Sequence, residues 1–344
     1  MPVSAPSTDR PVDFAEVAPL MQLGDLMSPM AVRTAATLRL ADHIAAGTTR
    51  LADLAATTEV HPGALRRLLR FLVVRGVFAE PEAGTYALTD LARLLLDDHP
   101  ARLRARFDLN GPVGRGDLSF IHLLNTVRTG GPSFAEMYGR PFWEDLEADP
   151  ARVAEFARMQ AANVAGSGIE REYDWTGVEH VIDVGGGNGT LISQVLAAHP
   201  HVRGTVVDLP ATAENAREAL ARNGLADRCA VVPGSFFEPL PKDGDVYLLS
   251  KILHDWGDEE AAAILARCAE AAGPGGRVLI LEMVHDSGRN DPQFTYLDLH
   301  MLVYFGSKER TFEEYRELAD GAGMDIRRAG QGKWGSAILE CVVR

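Results

Sequence analysis

Cysteine is scarce in this chain. Three residues in 344, Cys229, Cys268 and Cys341, show no C-x-x-C spacing, which argues against both a disulfide framework and a cysteine-ligated metal cage. Positive charge is also in deficit: 34 Lys and Arg stand against 48 Asp and Glu, a formal net charge of -14. That balance suits a polyanion poorly, because nucleic-acid binding depends on cationic side chains that neutralise phosphates. No stretch approaches the roughly 18 uncharged apolar residues of a membrane span. The N-terminal MPVSAPSTDRPVDFAEVAPL lacks the basic start and apolar run of a secretory leader. These absences argue against nucleic acid, membrane and secretion, and they predict a cytoplasmic protein.

What is present is core-forming sequence. At 46% hydrophobic, the chain has material for two domains. Residues 1 to about 13, rich in Pro, Ser and Asp, cannot bury enough apolar surface to offset their ordering entropy. From Phe14 to Ala46, Met21, Leu23, Leu26, Met27, Met30, Leu38, Leu40 and Ile44 recur at three- and four-residue intervals. That spacing predicts one apolar helical face in need of a cover. The following segment reads as helix, turn, helix and a short hairpin around Glu80 to Tyr86, the outline of a winged helix. Six Arg and Lys against seven Asp and Glu between Thr48 and Asp98 leave it without the basic footprint of DNA readout. Packing or dimerisation is the expected role, and a ligand-sensing regulator is the weaker alternative.

The predicted organisation is a helical, winged-helix-like dimerisation domain over 1–105, a helical bridge over 106–172 that contributes to a substrate pocket, and an α/β domain over 173–344. In the last, HVIDV, GTVVD, CAVVP, DVYLLS, RVLILE and SAILECVV read as strands between amphipathic stretches. Such alternation predicts a sheet with right-handed crossovers and helices on both faces.

HVIDVGGGNGTLISQVLAAHP runs a buried strand through Gly185, Gly186, Gly187, Asn188 and Gly189 into a helix. Side-chain-poor loops let a ligand lie against the backbone. A dinucleotide G-x-G-x-x-G starting at Gly185 would need glycine where Thr190 stands, which argues against a nicotinamide oxidoreductase; G-x-G-x-G fits instead. Asp208, nineteen residues after Gly189, ends the next strand, where a carboxylate can accept from ribose hydroxyls. It can equally cap the following helix. Together loop and acid imply a nucleoside-containing ligand.

On VIDVGGGNG, VVDLP, GSFFEPLP, LLSKILHDWGDEE, RVLILE and GSKERTFEEYRELADGAGM, nearly the whole chain resembles the small-molecule O-methyltransferases, both the plant caffeic acid and chalcone type and bacterial enzymes that tailor natural products. The resemblance implies a Rossmann-like methyltransferase fold with seven strands, the last antiparallel, and a homodimer. It implies S-adenosylmethionine bound by Asp183, Gly185, Gly187, Asp208 and Leu209, with Ser235 and Phe236 flanking adenine and Ser250 near the cofactor. Ser235 stands where the family usually has Asp, and Ser250 where plant members have Lys.

The implied chemistry is in-line attack of a hydroxyl oxygen on a sulfonium methyl group. A phenol, with a free pKa of about 10, benefits from a nearby base, the natural role of histidine. His254, after the strand DVYLLS, is the expected proton acceptor, flanked by Glu282 and Glu309, with Asp255 as an alternative orienting acid. The ligands for a divalent metal would come from three separated segments with no compact motif, so no metal is expected. Asn110, Trp143, Met159, Asn163, Met301 and Phe305 are candidates for the wall of an aromatic acceptor pocket. Some relatives have diverged to hydroxylation or decarboxylation; the intact His-Asp-Trp favours methylation.

Overall fold

The computed structural model describes residues 13–164, 167–285, 291–331 and 336–344. They fall into two compact units that part between Asn110 and Gly111.

In the first unit the helix Pro62–Val74 shows how the sequence sets local structure. Pro62 occupies its first turn, and Nδ1 of His61 accepts from the N–H groups of Gly63 and Ala64, satisfying donors that a helix start leaves open. Leu65, Leu69 and Leu72 bury one stripe. Two strands follow, β1 (Phe78–Glu82) and β2 (Thr85–Leu88), paired antiparallel. Gly84 between them takes φ +75°. Leu40, Leu54, Leu69, Phe78 and Tyr86 share one core.

The expected single apolar face of Phe14–Ala46 divides in two. Asp25 accepts from the N–H groups of Met27 and Ser28 and starts the helix Met27–Thr37 afresh. Past that break Leu40 and Ile44 enter the core. Met21, Leu23, Leu26 and Met27 stay exposed, Leu23 at 86%. Contiguous apolar exposure of this kind marks an association surface.

The second unit is built on a sheet of β3 (His180–Val184), β4 (Arg203–Asp208), β5 (Cys229–Pro233), β6 (Val246–Ser250), β7 (Arg277–His285), β8 (Arg310–Thr311), β9 (Met324–Gln331) and β10 (Ser336–Val343), in the order β5-β4-β3-β6-β7-β10-β9, with the short β8 beside β7. β10 runs antiparallel to both of its neighbours. Both faces are covered, so successive residues of one strand enter opposite cores: Ile182 and Val184 of β3 face Leu249, Ile264 and Leu339, while Val181 faces Val206, Leu248 and Ile338. All six expected strands are present. β9 was not read individually, since an edge strand spelled MDIRRAGQ buries little beyond Met324. Helices from Pro112–Leu118 to Pro150–Val164 belong to this unit. Phe134, Phe142 and Leu146 from that stretch pack with Val303 and Tyr304 of the helix Pro292–Phe305.

Candidate functional site

The carboxyl ends of β3, β4 and β6 border a cavity of about 640 Å³, where open α/β sheets bind ligands. Gly185, Gly187 and Gly189 take φ values of +70°, +60° and +74°. A Cβ on Gly185 would also stand 2.5 Å from Ile252 Cδ1, so both backbone and space require glycine there. Asp208 at the end of β4 ties the loop down: its Oδ2 accepts from Gly187 N–H and its Oδ1 from Leu209 N–H, both at 2.8 Å.

All eight residues expected to hold the cofactor, Asp183, Gly185, Gly187, Asp208, Leu209, Ser235, Phe236 and Ser250, line this cavity. Buried polar atoms normally find partners, yet Asp183 Oδ2 and Ser250 Oγ have none among the described residues. Burial, with the Asp208 charge adding, pushes the Asp183 carboxyl up to about 7, and burial raises that of Asp208 as well. Two strained acids in one cavity are placed to receive a cation and hydroxyl donors.

His254 lies in the turn Leu253–Asp255 that follows β6. Its Nδ1 is 2.9 Å from Glu309 Oε1 and 3.7 Å from Glu282 Oε2, and its Nε2 is 3.5 Å from Asp255 Oδ1. The side chains of both glutamates are fully buried. Glu282 Oε1 also accepts from the N–H groups of Ile252 and Leu253 at 2.9 Å. Buried Arg310 donates to the carbonyls of Leu253 and Trp256, and Ser307 Oγ donates to that of His254. The turn is thus clamped from β7 and from the segment SKERT, whose Glu309 faces the ring and whose Arg310 holds the backbone.

Burial opposes charge on the imidazole, but Glu282, Asp255 and Glu309 outweigh it and raise His254 to about 10. Burial is likewise the main cause that lifts Asp255 to about 7, against the pull of the His254 charge, and Glu282 is raised in the same way. The three separated segments converge: His254, Glu282 and Glu309 offer ligand atoms within 4.8 Å of one another.

The cavity wall includes Lys251, Ile252, Asp255 and Trp256 but not His254 itself, whose side chain is 13% exposed. Of the six acceptor-wall candidates, Trp143 lines the cavity and stacks on Phe305, with ring centroids 5.4 Å apart at 14°. Met159 and Met301 are buried and do not line it. Asn110 is exposed at the end of the first unit, and the side chain of Asn163 lies outside the described residues. Sequence reasoning missed Glu144, Glu147, Gln160 and Lys251, which all line the cavity.

An O-methyltransferase domain model matches residues 120–325, and an O-methyltransferase dimerisation domain model matches residues 21–98. The chain is 48% identical over 312 residues, 90% of its length and 93% of the relative's, to 2,7-dihydroxy-5-methyl-1-naphthoate 7-O-methyltransferase of Streptomyces carzinostaticus. It is 47% identical over 325 residues, 93% of its length and 86% of the relative's, to aclacinomycin 10-hydroxylase of Streptomyces purpurascens. Its structure is similar, at a TM-score of 0.88 and 46% identity over 94% of this chain and 98% of the other, to an O-methyltransferase from neocarzinostatin biosynthesis solved with S-adenosyl-L-homocysteine and 1,4-dihydroxy-2-naphthoic acid.

Proposed function

The chain belongs to the O-methyltransferase family, and on that premise we propose that it methylates a hydroxyl group of an aromatic small molecule in antibiotic biosynthesis, with His254 as the proton acceptor. The observation that carries this reading is the His254–Glu309 pair, 2.9 Å apart, clamped at the end of β6 beside the glycine-loop cavity. Domain match and exposed apolar N-terminal helices support a homodimer. Three unpaired cysteines and the lack, among the described residues, of a helix long and apolar enough to cross a membrane support work in the cytoplasm.

The residues fit S-adenosylmethionine. Asp183 Oδ2 and Ser250 Oγ are open acceptors in the cavity, Asp208 is positioned by two backbone N–H groups to take ribose hydroxyls, and Phe236 lines the same cavity, where it would pack on adenine. When bound, the cofactor supplies an electrophilic methyl group on a positively charged sulfur. A proton on Nδ1 donates to Glu309, so Nε2 is the nitrogen that takes the acceptor proton. Glu309 then stabilises the imidazolium so formed. The carboxylates that raise His254 strengthen it as a base toward a phenol. The positive charge of a bound cofactor would oppose charge on the ring and so favour its neutral, accepting form.

A second reading is hydroxylation, the reaction named for the 47% identical relative. Intact His254 with its buried carboxylates favours methyl transfer, because that arrangement serves to accept a proton. The test is incubation with methyl-labelled S-adenosylmethionine and a panel of hydroxyaromatic acceptors. A labelled methyl ether supports the reading; cofactor binding without label transfer to any acceptor contradicts it.

A further inference from the structure

Lys251 is a cation that the mechanism above does not use. It sits one residue past β6, with φ +54°, and is the one non-glycine residue of the second unit with positive φ among those described. A left-handed lysine is held by its surroundings rather than by preference, and here the N–H of Lys251 donates to Leu281 O at 3.1 Å, continuing the β6–β7 ladder. The side chain lines the cavity, and its ammonium has neither a hydrogen bond nor an ion pair among the described residues. Burial lowers its pKa, against the opposing charges of Glu282, Glu309 and Asp255. An ammonium on a cavity wall that makes no hydrogen bond to the described residues can give its donors to an anionic or strongly accepting group on a ligand.

The disposition of charge says which ligand group. His254 faces three carboxylates, and Lys251 is a second cation that feels the same three, Glu282, Glu309 and Asp255. Glu282 and Glu309 are fully buried and do not line the cavity. Of the acids in the cluster Asp255 alone reaches the wall. Toward the cavity, then, the cluster presents the Lys251 ammonium and Asp255, with the two buried glutamates behind.

We propose that Lys251 supplies the positive charge that stabilises the acceptor oxygen as its phenolate, so that the site selects acidic aromatic hydroxyls. This rests on the reading of the chain as an aromatic O-methyltransferase. The proton moves from the phenol O–H to Nε2 of His254; the oxygen keeps the electron pair beside Lys251 and forms the new bond to the methyl carbon as the carbon–sulfur bond breaks. Lys251 makes the phenol the stronger acid, and His254 takes the proton.

The experiment uses the full-length protein with S-adenosylhomocysteine bound, so that no turnover occurs, and 7-hydroxycoumarin as the probe, because its phenolate absorbs at longer wavelength than the phenol. Wild type, Lys251→Met and Lys251→Arg are titrated with pH. In wild type the bound probe is expected to ionise about 1 to 3 pH units below its solution midpoint, the range of an opposite charge at close approach. Lys251→Met should return the midpoint to near its solution value and Lys251→Arg should largely restore the shift. S-adenosylhomocysteine affinity should change by less than about 3-fold, as expected if the lysine serves the acceptor oxygen rather than the cofactor. In turnover, Lys251→Met should lose about 100-fold or more in kcat/KM for weakly acidic phenols and much less for acidic ones. A probe that ionises at its solution midpoint in wild type overturns the proposal while leaving methyl transfer intact. Loss of S-adenosylhomocysteine binding in Lys251→Met, with the probe's shift unaltered, overturns it by assigning the lysine to the cofactor. Failure of the wild type to methylate or bind any phenol overturns the functional reading and this proposal with it.

Discussion

Replacing Glu309 with glutamine removes one of three carboxylates around His254 and keeps an oxygen that can accept the Nδ1 proton. At 2.9 Å, two unit charges at an effective dielectric constant of about 20 attract by about 6 kcal/mol before desolvation is subtracted. The buried charge also carries a desolvation cost that its removal relieves, and Glu282 and Asp255 stay at 3.7 and 3.5 Å. The net change is therefore smaller, about 1 to 3 pH units for an opposite charge at this range. His254 stands at about 10 against an ordinary 6.5, and its midpoint should fall by that much in Glu309→Gln while remaining above the ordinary value. The assay is NMR titration of the ring Cε1–H in histidine-labelled protein, with His254→Asn identifying the resonance. The variant should also lose about 10-fold or more in kcat, since a less well oriented and weaker base gives up part of the usual acid–base contribution. A midpoint that does not move, or that rises, would refute the reasoning that Glu309 holds the imidazolium.

The same ring should set a pH dependence of stability. A folded midpoint near 10 above an ordinary 6.5 gives a contribution fully present below pH 6.5 and lost as pH rises through 10. Asp255, raised from 3.8 to about 7, costs stability as pH rises over that lower interval and adds no slope above it. Between pH 7 and 10 His254 should therefore cost wild type about 4 kcal/mol, while Lys251, held below its ordinary value, works in the opposite sense. Urea unfolding of wild type should weaken over that interval, and in His254→Asn the decline should largely vanish. Gly185→Ala places a Cβ 2.5 Å from Ile252 Cδ1 at φ +70°; calorimetry should show S-adenosylhomocysteine binding weakened about 10-fold or more, in line with backbone strain of about 1 to 3 kcal/mol. Asp208→Asn keeps one acceptor but loses the charge, and the same titration should show a loss of about 1.5 to 3 kcal/mol, the worth of a charge-assisted bond. Light scattering should give a dimer that Leu23→Glu weakens, because Leu23 is 86% exposed on the apolar patch; an unaltered dimer would place the interface elsewhere.

Legibility in the sequence followed the strength of local signals. Strands β3, β4 and β6, spelled HVIDV, RGTVVD and VYLLS, are mostly buried along their length and rich in β-branched and apolar residues, and such short runs announce themselves. β9 pairs only at the sheet edge and half its residues face solvent, so its alternation is lost among arginines. The glycine loop was readable because Gly185 and Gly187 answer to backbone geometry, a purely local demand. Glu282 and Glu309 were reached through family resemblance; their convergence on one imidazole depends on β7, and on the segment after the helix Pro292–Phe305, lying beside the end of β6, which no spacing encodes. The apolar run of Phe14–Ala46 misled for a related reason: periodicity reports an apolar face but not whether it meets the chain's own core, as Leu40 and Ile44 do, or is left exposed like Leu23. Lys251 escaped notice because its interest arises from a left-handed backbone and a cavity, neither of them visible in the letters around it.

The most direct measurement is the rate of methyl transfer to a phenolic acceptor by wild type and by His254→Ala, with EDTA present in both and S-adenosylmethionine saturating. If His254 takes the proton and no metal takes part, EDTA leaves wild type unchanged and the variant falls by about 10²-fold or more in kcat, with cofactor affinity preserved. An unimpaired variant would remove the histidine from the chemistry, and a wild type silenced by EDTA would assign His254, Glu282 and Glu309 to a metal ion instead.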